Sequence, residues 1–248
     1  MKTKIILLDI DGCIMPPNRS EVNLLKLNKL KDYVHQTLKN QSLPKVTIYT
    51  GRSQEYVEFL SQVIGLVNSD IPFVIENGCA LYFPMSKTTK ATFANTKATQ
   101  KAKSILQEKL PNNPFEPKKY IVTINPIENQ TILELKELTI GILKDLKILD
   151  ALEVTNSASS VDILPKGINK LYGVKYLIQH YLSKDIKTIA IGDSSTDKDV
   201  LLYSTYAYAP SNASEALKAT LKSNHPNASI LQESDIDAVL RMFEIEVS

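Results

Sequence analysis

Residues 4–12 read KIILLDIDG, in which four consecutive aliphatic residues are followed by two aspartates and a glycine. A short apolar run that ends at a turn is typical of a strand buried on both faces, as in parallel sheets. Apolar runs of this length recur along the chain, and longer segments with helical periodicity separate them. This alternation predicts an α/β protein with a doubly wound parallel sheet.

The predicted elements of this sheet lie in the first and last thirds of the chain. The predicted strands are 4–9, 46–50, 73–76, 188–191, 206–209 and 228–231. The predicted helices are 20–38, 53–64, 213–221 and 234–243, with further helices beginning at Lys170 and near Thr196.

The middle of the chain has a different pattern, with prolines at 111, 114, 117 and 126. Its predicted helices are 97–110 and 131–146, and its predicted strands are 120–125, 152–155 and 161–164. We interpret residues 84–165 as an α+β module inserted between the two parts of the parallel-sheet domain, residues 1–83 and 166–248.

Composition limits the classes of partner. The chain has 248 residues and a net charge of only +2, whereas nucleic acid binding usually needs a strongly basic surface. The apolar run at 5–8 is too short for a signal peptide or a membrane span, and no later run reaches membrane length. The two cysteines, Cys13 and Cys79, lack the spacing of a metal site or a disulfide framework. We therefore expect a cytoplasmic protein, monomeric or homodimeric, that binds neither nucleic acid nor membrane.

Four turns carry side chains that can do chemistry. They are Asp9-Ile10-Asp11-Gly12, Thr50-Gly51-Arg52-Ser53, Gly167-Ile168-Asn169-Lys170 and the segment GDSSTD at 192–197. In open α/β sheets the ligand crevice lies outside the carboxyl ends of the strands, and glycine there permits close backbone approach. Because three of these turns follow predicted strands, we expect their side chains to converge on one rim of the sheet.

The aspartates of these turns predict a metal site. Asp9 and Asp11 share a face of an extended chain, and Asp193 and Asp197 follow a later strand. Either pair alone is weak evidence, but carboxylates from both pairs in one crevice repel each other unless a cation lies among them. Oxygen ligands without histidine or cysteine favour Mg²⁺.

Lys170 and Thr50 supply the groups that a phosphoryl ligand needs, a positive charge and a hydroxyl donor. Lysine is favoured near the end of a helix and not at its beginning. The position of Lys170 at a predicted helix start therefore indicates an anion held nearby.

In these four motifs the chain resembles the phosphatases of the haloacid dehalogenase (HAD) superfamily, subfamily IIB or Cof type, which carry a large α+β cap between the second and third motifs. The motifs match in order over the whole chain, and the resemblance implies that residues 84–165 are the cap domain and that residues 1–83 and 166–248 form a Rossmann-like core. The phrase Glu76-Asn77-Gly78 and Asn212 in Ser211-Asn212-Ala213 also resemble this subgroup. In two places the chain departs from the common pattern, with Cys13 where threonine is common and Thr196 where asparagine is common.

The resemblance implies a role for each matching residue. Asp9 attacks phosphorus and forms an aspartyl-phosphate, while Asp11 protonates the leaving group and later activates water. Thr50 and Lys170 complete the catalytic set by binding the phosphoryl group and offsetting its charge. The implied Mg²⁺ ligands are Asp9, the backbone carbonyl of Asp11, Asp193 and Asp197. The implied substrate-binding residues are Gly51, Arg52, Glu76, Asn77 and Asn212.

The resemblance also implies a class of substrate, a small phosphorylated metabolite. Relatives with this cap act on sugar phosphates, and the phrase at 76–84 resembles the mannosyl-phosphoglycerate phosphatases. A sugar phosphate or a similar metabolite is therefore the expected substrate.

Three alternatives share parts of this pattern. A phosphomutase of the phosphomannomutase type is suggested by Pro16-Pro17 and Arg19, but a mutase binds a second phosphate from its cap, and residues 84–165 contain no arginine. A phosphoacceptor signalling domain also uses aspartate, threonine, lysine and Mg²⁺, but it is about half as long and has no role for Asp11. A binding module without catalysis would lack key side chains that are present here.

Overall fold

The computed structural model describes residues 3–16, 20–94, 97–157 and 159–247. The strands are β1 (Lys4–Leu8), β2 (Lys45–Ile48), β3 (Phe73–Ile75), β4 (Ala80–Phe83), β5 (Thr88–Ala91), β6 (Val122–Ile124), β7 (Leu152–Asn156), β8 (Val161–Pro165), β9 (Lys187–Ile191), β10 (Tyr206–Ala209) and β11 (Ala228–Ile230). The α-helices are α1 (Leu24–Lys39), α2 (Gln54–Val63), α3 (Lys97–Lys109), α4 (Ile132–Asp145), α5 (Lys170–Tyr181), α6 (Lys198–Tyr203), α7 (Glu215–Asn224) and α8 (Asp235–Val247).

A five-stranded parallel sheet forms the centre, in the order β11-β10-β9-β1-β2. Its strand β1 is buried on both faces, which explains its uninterrupted aliphatic sequence. Ile6 and Leu8 pack on the side of α1, α2 and α8, whereas Ile5 and Leu7 pack on the side of α5, α6 and α7. Each such side chain contributes about 1.5–3 kcal/mol when it is fully buried. The predicted doubly wound, Rossmann-like α/β core is confirmed.

The strand β3 extends this sheet beyond β2 and begins a second, antiparallel sheet. It joins β2 through a parallel bridge between Tyr49 and Val74, and it pairs with β4, which pairs with β5. Neither β4 nor β5 was predicted. The residues of β5 are two threonines, a lysine and an alanine, each exposed or half-buried, so this edge strand has the composition of a loop.

The middle of the chain forms a third sheet, antiparallel in the order β6-β8-β7, with α3 and α4 packed against it. Its own apolar core includes Leu106 from α3, Leu135 and Leu143 from α4, and Ile163 from β8. These elements lie within the predicted cap at 84–165, which also contains β5. Because β5 pairs with β4, outside that range, the division into 84–165 and the two flanking segments stays a prediction.

Helix α1 begins later than predicted, at Leu24 instead of residue 20, because Asn23 caps it. The side chain of Asn23 accepts a hydrogen bond from the backbone N–H of Lys26 at 3.1 Å. Pro17 and Arg19, which suggested a phosphomutase, lie outside the described residues. Among the residues that the structure does describe, no helix has the length and apolar character needed to span a membrane.

Candidate active site

The predicted catalytic side chains meet at the carboxyl end of the central sheet. Asp9 directly follows β1, Thr50 follows β2 by two residues, and Asp193 follows β9 by two. Strands β2 and β9 are the two neighbours of β1. Lys170 is the first residue of α5, which packs near β3 and on the face of the sheet opposite α1.

Three carboxylates form what we call the acidic cluster: Asp9, Asp193 and Asp197. Each offers an oxygen, and these oxygens all lie within 4.8 Å of one another. The ammonium of Lys170 donates to Oδ1 of Asp9 at 2.9 Å and to Oδ1 of Asp197 at 2.7 Å. Asp9, Asp197 and Lys170 are buried, so these charges are poorly screened by water.

Burial and mutual repulsion shift the pKa values of Asp9 and Asp193 in the acidic cluster. Burial raises the pKa of Asp9 well above its ordinary value, and the charges of Asp197 and Asp193 raise it further against the opposing effect of Lys170. Burial, followed by the charge of Asp197, raises the pKa of Asp193 to about 7. For Lys170, burial lowers the pKa, but Asp197 and Asp9 outweigh it and the net shift is upward. One ammonium therefore does not neutralise three carboxylates, and the oxygen donor set fits a hard divalent cation.

The backbone at Gly12 allows the acidic cluster to form. A Cβ at this position would lie 2.0 Å from Oδ2 of Asp193, and Gly12 has a φ of +74°. Any other residue would both strain the turn and displace the Asp193 carboxylate.

Asp197 is oriented by Ser194, a residue to which the sequence analysis gave no role. Oδ2 of Asp197 accepts hydrogen bonds from the backbone N–H of Ser194 at 3.0 Å and from its hydroxyl at 2.7 Å. The hydroxyl of Thr196 lies 2.9 Å from the Ser194 hydroxyl. Thr196, which stands where asparagine is common, thus belongs to the hydrogen-bond network that holds Asp197.

Tyr49, which was also missed, lies beneath Lys170. The ammonium of Lys170 is 5.3 Å from the centroid of the Tyr49 ring, and the Tyr49 hydroxyl donates to the carbonyl of Ile191 at 3.0 Å. Tyr49 is fully buried, and its side chain reaches from the end of β2 to the end of β9. Its apolar context in the run 46–50 gave no signal beyond that of a core residue.

Asp11 is paired with Arg52 and is not a member of the acidic cluster. The guanidinium donates from Nε to Oδ2 of Asp11 at 2.8 Å and from Nη2 to Oδ1 at 2.5 Å, and it stacks on Tyr56 at 4.7 Å. The Asp11 side chain is 43% exposed, so it faces the solvent side of the site. Its predicted backbone contact with a metal stays a prediction.

Thr50 is fully buried and its hydroxyl oxygen accepts a hydrogen bond from the backbone N–H of Arg52 at 3.2 Å. The hydroxyl proton of Thr50 is therefore available to donate to a phosphoryl oxygen. Gly51 lies against Asn77, since a Cβ on Gly51 would be 2.8 Å from the Asn77 Oδ1.

Glu76 connects the end of β3 to the middle segment of the chain. Its carboxylate accepts hydrogen bonds from the backbone N–H groups of Lys119, Tyr120 and Ile121, at 3.1, 2.6 and 3.1 Å. Burial raises the pKa of Glu76 although these three donors lower it. The carboxylate thus has an internal role, and its predicted contact with substrate stays a prediction.

Asn212 also has internal partners. Its amide nitrogen donates to the carbonyl of Gly12 at 2.9 Å, and its amide oxygen accepts from the backbone N–H of Asp235 at 2.9 Å. Asn212 therefore links the turn that follows Asp9 to the first residue of α8. Its predicted substrate contact is untested.

Replacing Glu76 by alanine is expected to lower the free energy of unfolding by at least about 2 kcal/mol, because three backbone N–H groups lose their acceptor and each costs about 1–3 kcal/mol when buried and unpaired. Urea unfolding followed by circular dichroism measures this. Glu76→Gln retains one acceptor oxygen and is expected to lie between the wild type and Glu76→Ala. Glu128→Ala, at an exposed loop position, is the control. Equal midpoints for Glu76→Ala and Glu128→Ala would contradict the prediction.

Comparison with known proteins shows the family to which the chain belongs. The family model of haloacid dehalogenase-like hydrolases matches residues 107–239, which is more than half of the chain. The chain belongs to this family. The family predicted from the four motifs is confirmed, and with it the prediction that the chain is an enzyme of the hydrolase class.

Relatives of this hydrolase cover nearly all of its length. A Mycoplasma pneumoniae protein, named provisionally as a phosphatase, is 25% identical over 96% of this chain and 95% of its own. A haloacid dehalogenase-like hydrolase from Bacteroides thetaiotaomicron has a TM-score of 0.72 at 16% identity, covering 98% and 99% of the two chains. The sucrose-phosphatase of Synechocystis sp. PCC6803, solved with sucrose and phosphate, has a TM-score of 0.69 at 20% identity, covering 100% and 99%. The two structural matches show that the hydrolase shares their fold.

Proposed function

We propose that the hydrolase is a Mg²⁺-dependent phosphatase that cleaves phosphate monoesters through an aspartyl-phosphate on Asp9. The observation that carries the proposal is the acidic cluster with Lys170 bonded between Asp9 and Asp197 at the carboxyl end of the sheet. The provisional name of the Mycoplasma pneumoniae relative supports phosphatase activity.

In the first step a carboxylate oxygen of Asp9 attacks phosphorus, and the bond from phosphorus to the ester oxygen breaks. The leaving oxygen takes a proton from Asp11. In the second step Asp11 takes a proton from water, whose oxygen attacks phosphorus and breaks the bond to Asp9. Inorganic phosphate leaves, and both aspartates return to their starting states.

The other side chains of the site bind the phosphoryl group and the metal ion and orient them. Lys170 offsets the charge that Asp9 and the phosphoryl group bring together, and the Thr50 hydroxyl donates to a phosphoryl oxygen. Asp9, Asp193 and Asp197, with the backbone carbonyl of Asp11, would hold Mg²⁺. When bound, Mg²⁺ supplies the positive charge that lets the nucleophile and the phosphate approach each other.

The substrate proposed is a sugar phosphate or a similar small metabolite. The sucrose-phosphatase of Synechocystis has the same fold and supports this class. The alternative of a phosphomutase is weaker, because Lys118, the buried lysine of the middle segment, is already bonded to Glu116 and Thr123. We retain a cytoplasmic location and a monomeric or homodimeric state as predictions.

Release of p-nitrophenol from p-nitrophenyl phosphate tests the proposal. The purified protein is expected to release it continuously with Mg²⁺ and to stop when excess EDTA is added, with activity restored by Mg²⁺. A single turnover followed by arrest would indicate a phosphoacceptor domain instead. No release at any Mg²⁺ concentration would overturn the proposed function.

A further inference from the structure

A group of polar side chains lies between the middle segment and the turns of the active site. We call it the bridging cluster, and its members are Arg52, Asn77, Glu116, Lys118, Thr123 and Asp162. The ammonium of Lys118 is 3.1 Å from the Glu116 carboxylate, 2.9 Å from the Thr123 hydroxyl and 3.9 Å from the Asp162 carboxylate. The Thr123 hydroxyl also donates to Asp162.

Asn77 connects the bridging cluster to the proposed phosphate-binding turn. Its side-chain nitrogen donates to Oδ2 of Asp162 at 3.3 Å, and its backbone N–H donates to the carbonyl of Thr50 at 3.0 Å. The cluster therefore adjoins the place where a phosphoryl group would bind, on the side of the middle segment.

Arg52 joins the cluster to the proposed acid, Asp11, through two hydrogen bonds. The pKa of Arg52 is raised, mainly by its hydrogen bond to Asp11 and against the effect of burial, and the charge of Glu116 raises it as well. The main chain at Glu116 is held in place, because its N–H donates to the carbonyl of Thr123 at 3.0 Å. The Glu116 carboxylate, 3.1 Å from the Lys118 ammonium, therefore belongs to the polar group that Asp162 and Asn77 join to the turn of Thr50, the turn that also carries Arg52.

A contribution to the stability of the fold does not by itself explain why the bridging cluster contains charged residues. The side chains of Lys118 and Asp162 are only 7% and 9% exposed, and burying such charges costs several kcal/mol per ion before pairing. Well-packed apolar residues at these positions would generally be at least as stable. Glu116, with a side chain 26% exposed, is the carboxylate of the cluster that remains accessible to a ligand.

Both cations of the bridging cluster are already engaged. Arg52 uses two nitrogens on Asp11, and Lys118 bonds to Glu116 and Thr123. A second anionic group on a substrate would lie near the Glu116 carboxylate. Neither cation of this cluster would be free to pair with that group. Hydroxyl groups, in contrast, can donate directly to that carboxylate.

We propose that Glu116 is a specificity-determining residue, which accepts hydrogen bonds from a neutral, hydroxyl-rich leaving group and rejects leaving groups that carry a second negative charge. This inference rests on the proposed phosphatase function. It narrows the substrate class to phosphate monoesters of uncharged polyols and sugars.

A matched pair of substrates tests the inference: glucitol 6-phosphate and 6-phosphogluconate are open-chain compounds with the same phosphate ester, and the hydroxymethyl group of the first is a carboxylate in the second. The wild type is expected to prefer glucitol 6-phosphate by about tenfold or more in kcat/KM, because like charges brought together in a binding site are strongly unfavourable. Glu116→Lys is expected to lower this ratio by about tenfold or more. Glu116→Gln, which keeps the size of the side chain, is expected to lower it by about threefold.

The control is Glu137→Lys, the same charge reversal on an exposed position of α4, which is expected to leave the ratio unchanged. A ratio near one for the wild type, or an unchanged ratio in both Glu116 variants, would overturn the inference while leaving phosphatase activity in place. Wild-type protein that releases phosphate from neither these esters nor p-nitrophenyl phosphate would overturn the proposed function and the inference together. Thermal unfolding of each variant separates a change of specificity from a loss of folded protein.

Discussion

Asp9→Asn is expected to lower phosphatase activity by about 10³-fold or more, because the amide cannot act as the nucleophile and the covalent route is lost. The same change is expected to keep or raise the midpoint of thermal unfolding in metal-free buffer. Asn has nearly the shape of Asp, and it relieves the repulsion among three carboxylates whose oxygens lie within 4.8 Å. Loss of function with unchanged or greater stability is the pattern of a site that is strained for activity.

Steady-state release of p-nitrophenol and differential scanning calorimetry measure the two effects. Asp185→Asn, an exposed position outside the site, is the control and is expected to change neither quantity. Asp9→Asn protein with activity within tenfold of the wild type would rule out Asp9 as the nucleophile.

Asp11→Asn is expected to separate the two chemical steps. An alkyl phosphate such as glucose 6-phosphate has a poor leaving group, so loss of the acid is expected to slow its cleavage by about 10²–10⁴-fold. p-Nitrophenolate leaves without protonation, and the first step with p-nitrophenyl phosphate is expected to proceed. The second step lacks its base, so the variant is expected to release a burst of about one p-nitrophenol per protein and then slow down.

Rapid-mixing kinetics with p-nitrophenyl phosphate detects this burst, and acid quenching preserves the phosphorylated protein for mass spectrometry. The site of modification is expected to be Asp9. An Asp11→Asn variant that hydrolyses glucose 6-phosphate at the wild-type rate would show that the acid is another group.

The central sheet was predictable because the strands that form it are short, mostly apolar and separated by helices. The run at 5–8 is buried on both faces, so its hydrophobic pattern has no interruption. β5 was not predictable for the opposite reason. It lies at the edge of a three-stranded sheet with exposed and half-buried residues, and its pairing with β4 depends on tertiary contacts that leave no periodic signal.

The candidate site was predictable to a different extent at each residue. Asp9, Asp193, Asp197 and Lys170 lie in recognisable turns, and the structure brings all four together. The internal partners of Glu76 and Asn212 could not be foreseen, because they are backbone groups far away in the chain. Ser194 lay within a quoted motif, but only the fold shows which carboxylate its hydroxyl reaches.

The link between Asn212 and Gly12 has a consequence for how the protein is made. The two residues are 200 positions apart, so the turn after Asp9 emerges from the ribosome long before the amide that holds it. At about 5–20 residues per second this interval is roughly 10–40 s. During that time β1 can pair with β2, but its other edge stays open until β9 is synthesised. The aliphatic strand β1 therefore has an unpaired edge during this interval, and such an edge is a site that nascent-chain chaperones protect from aggregation.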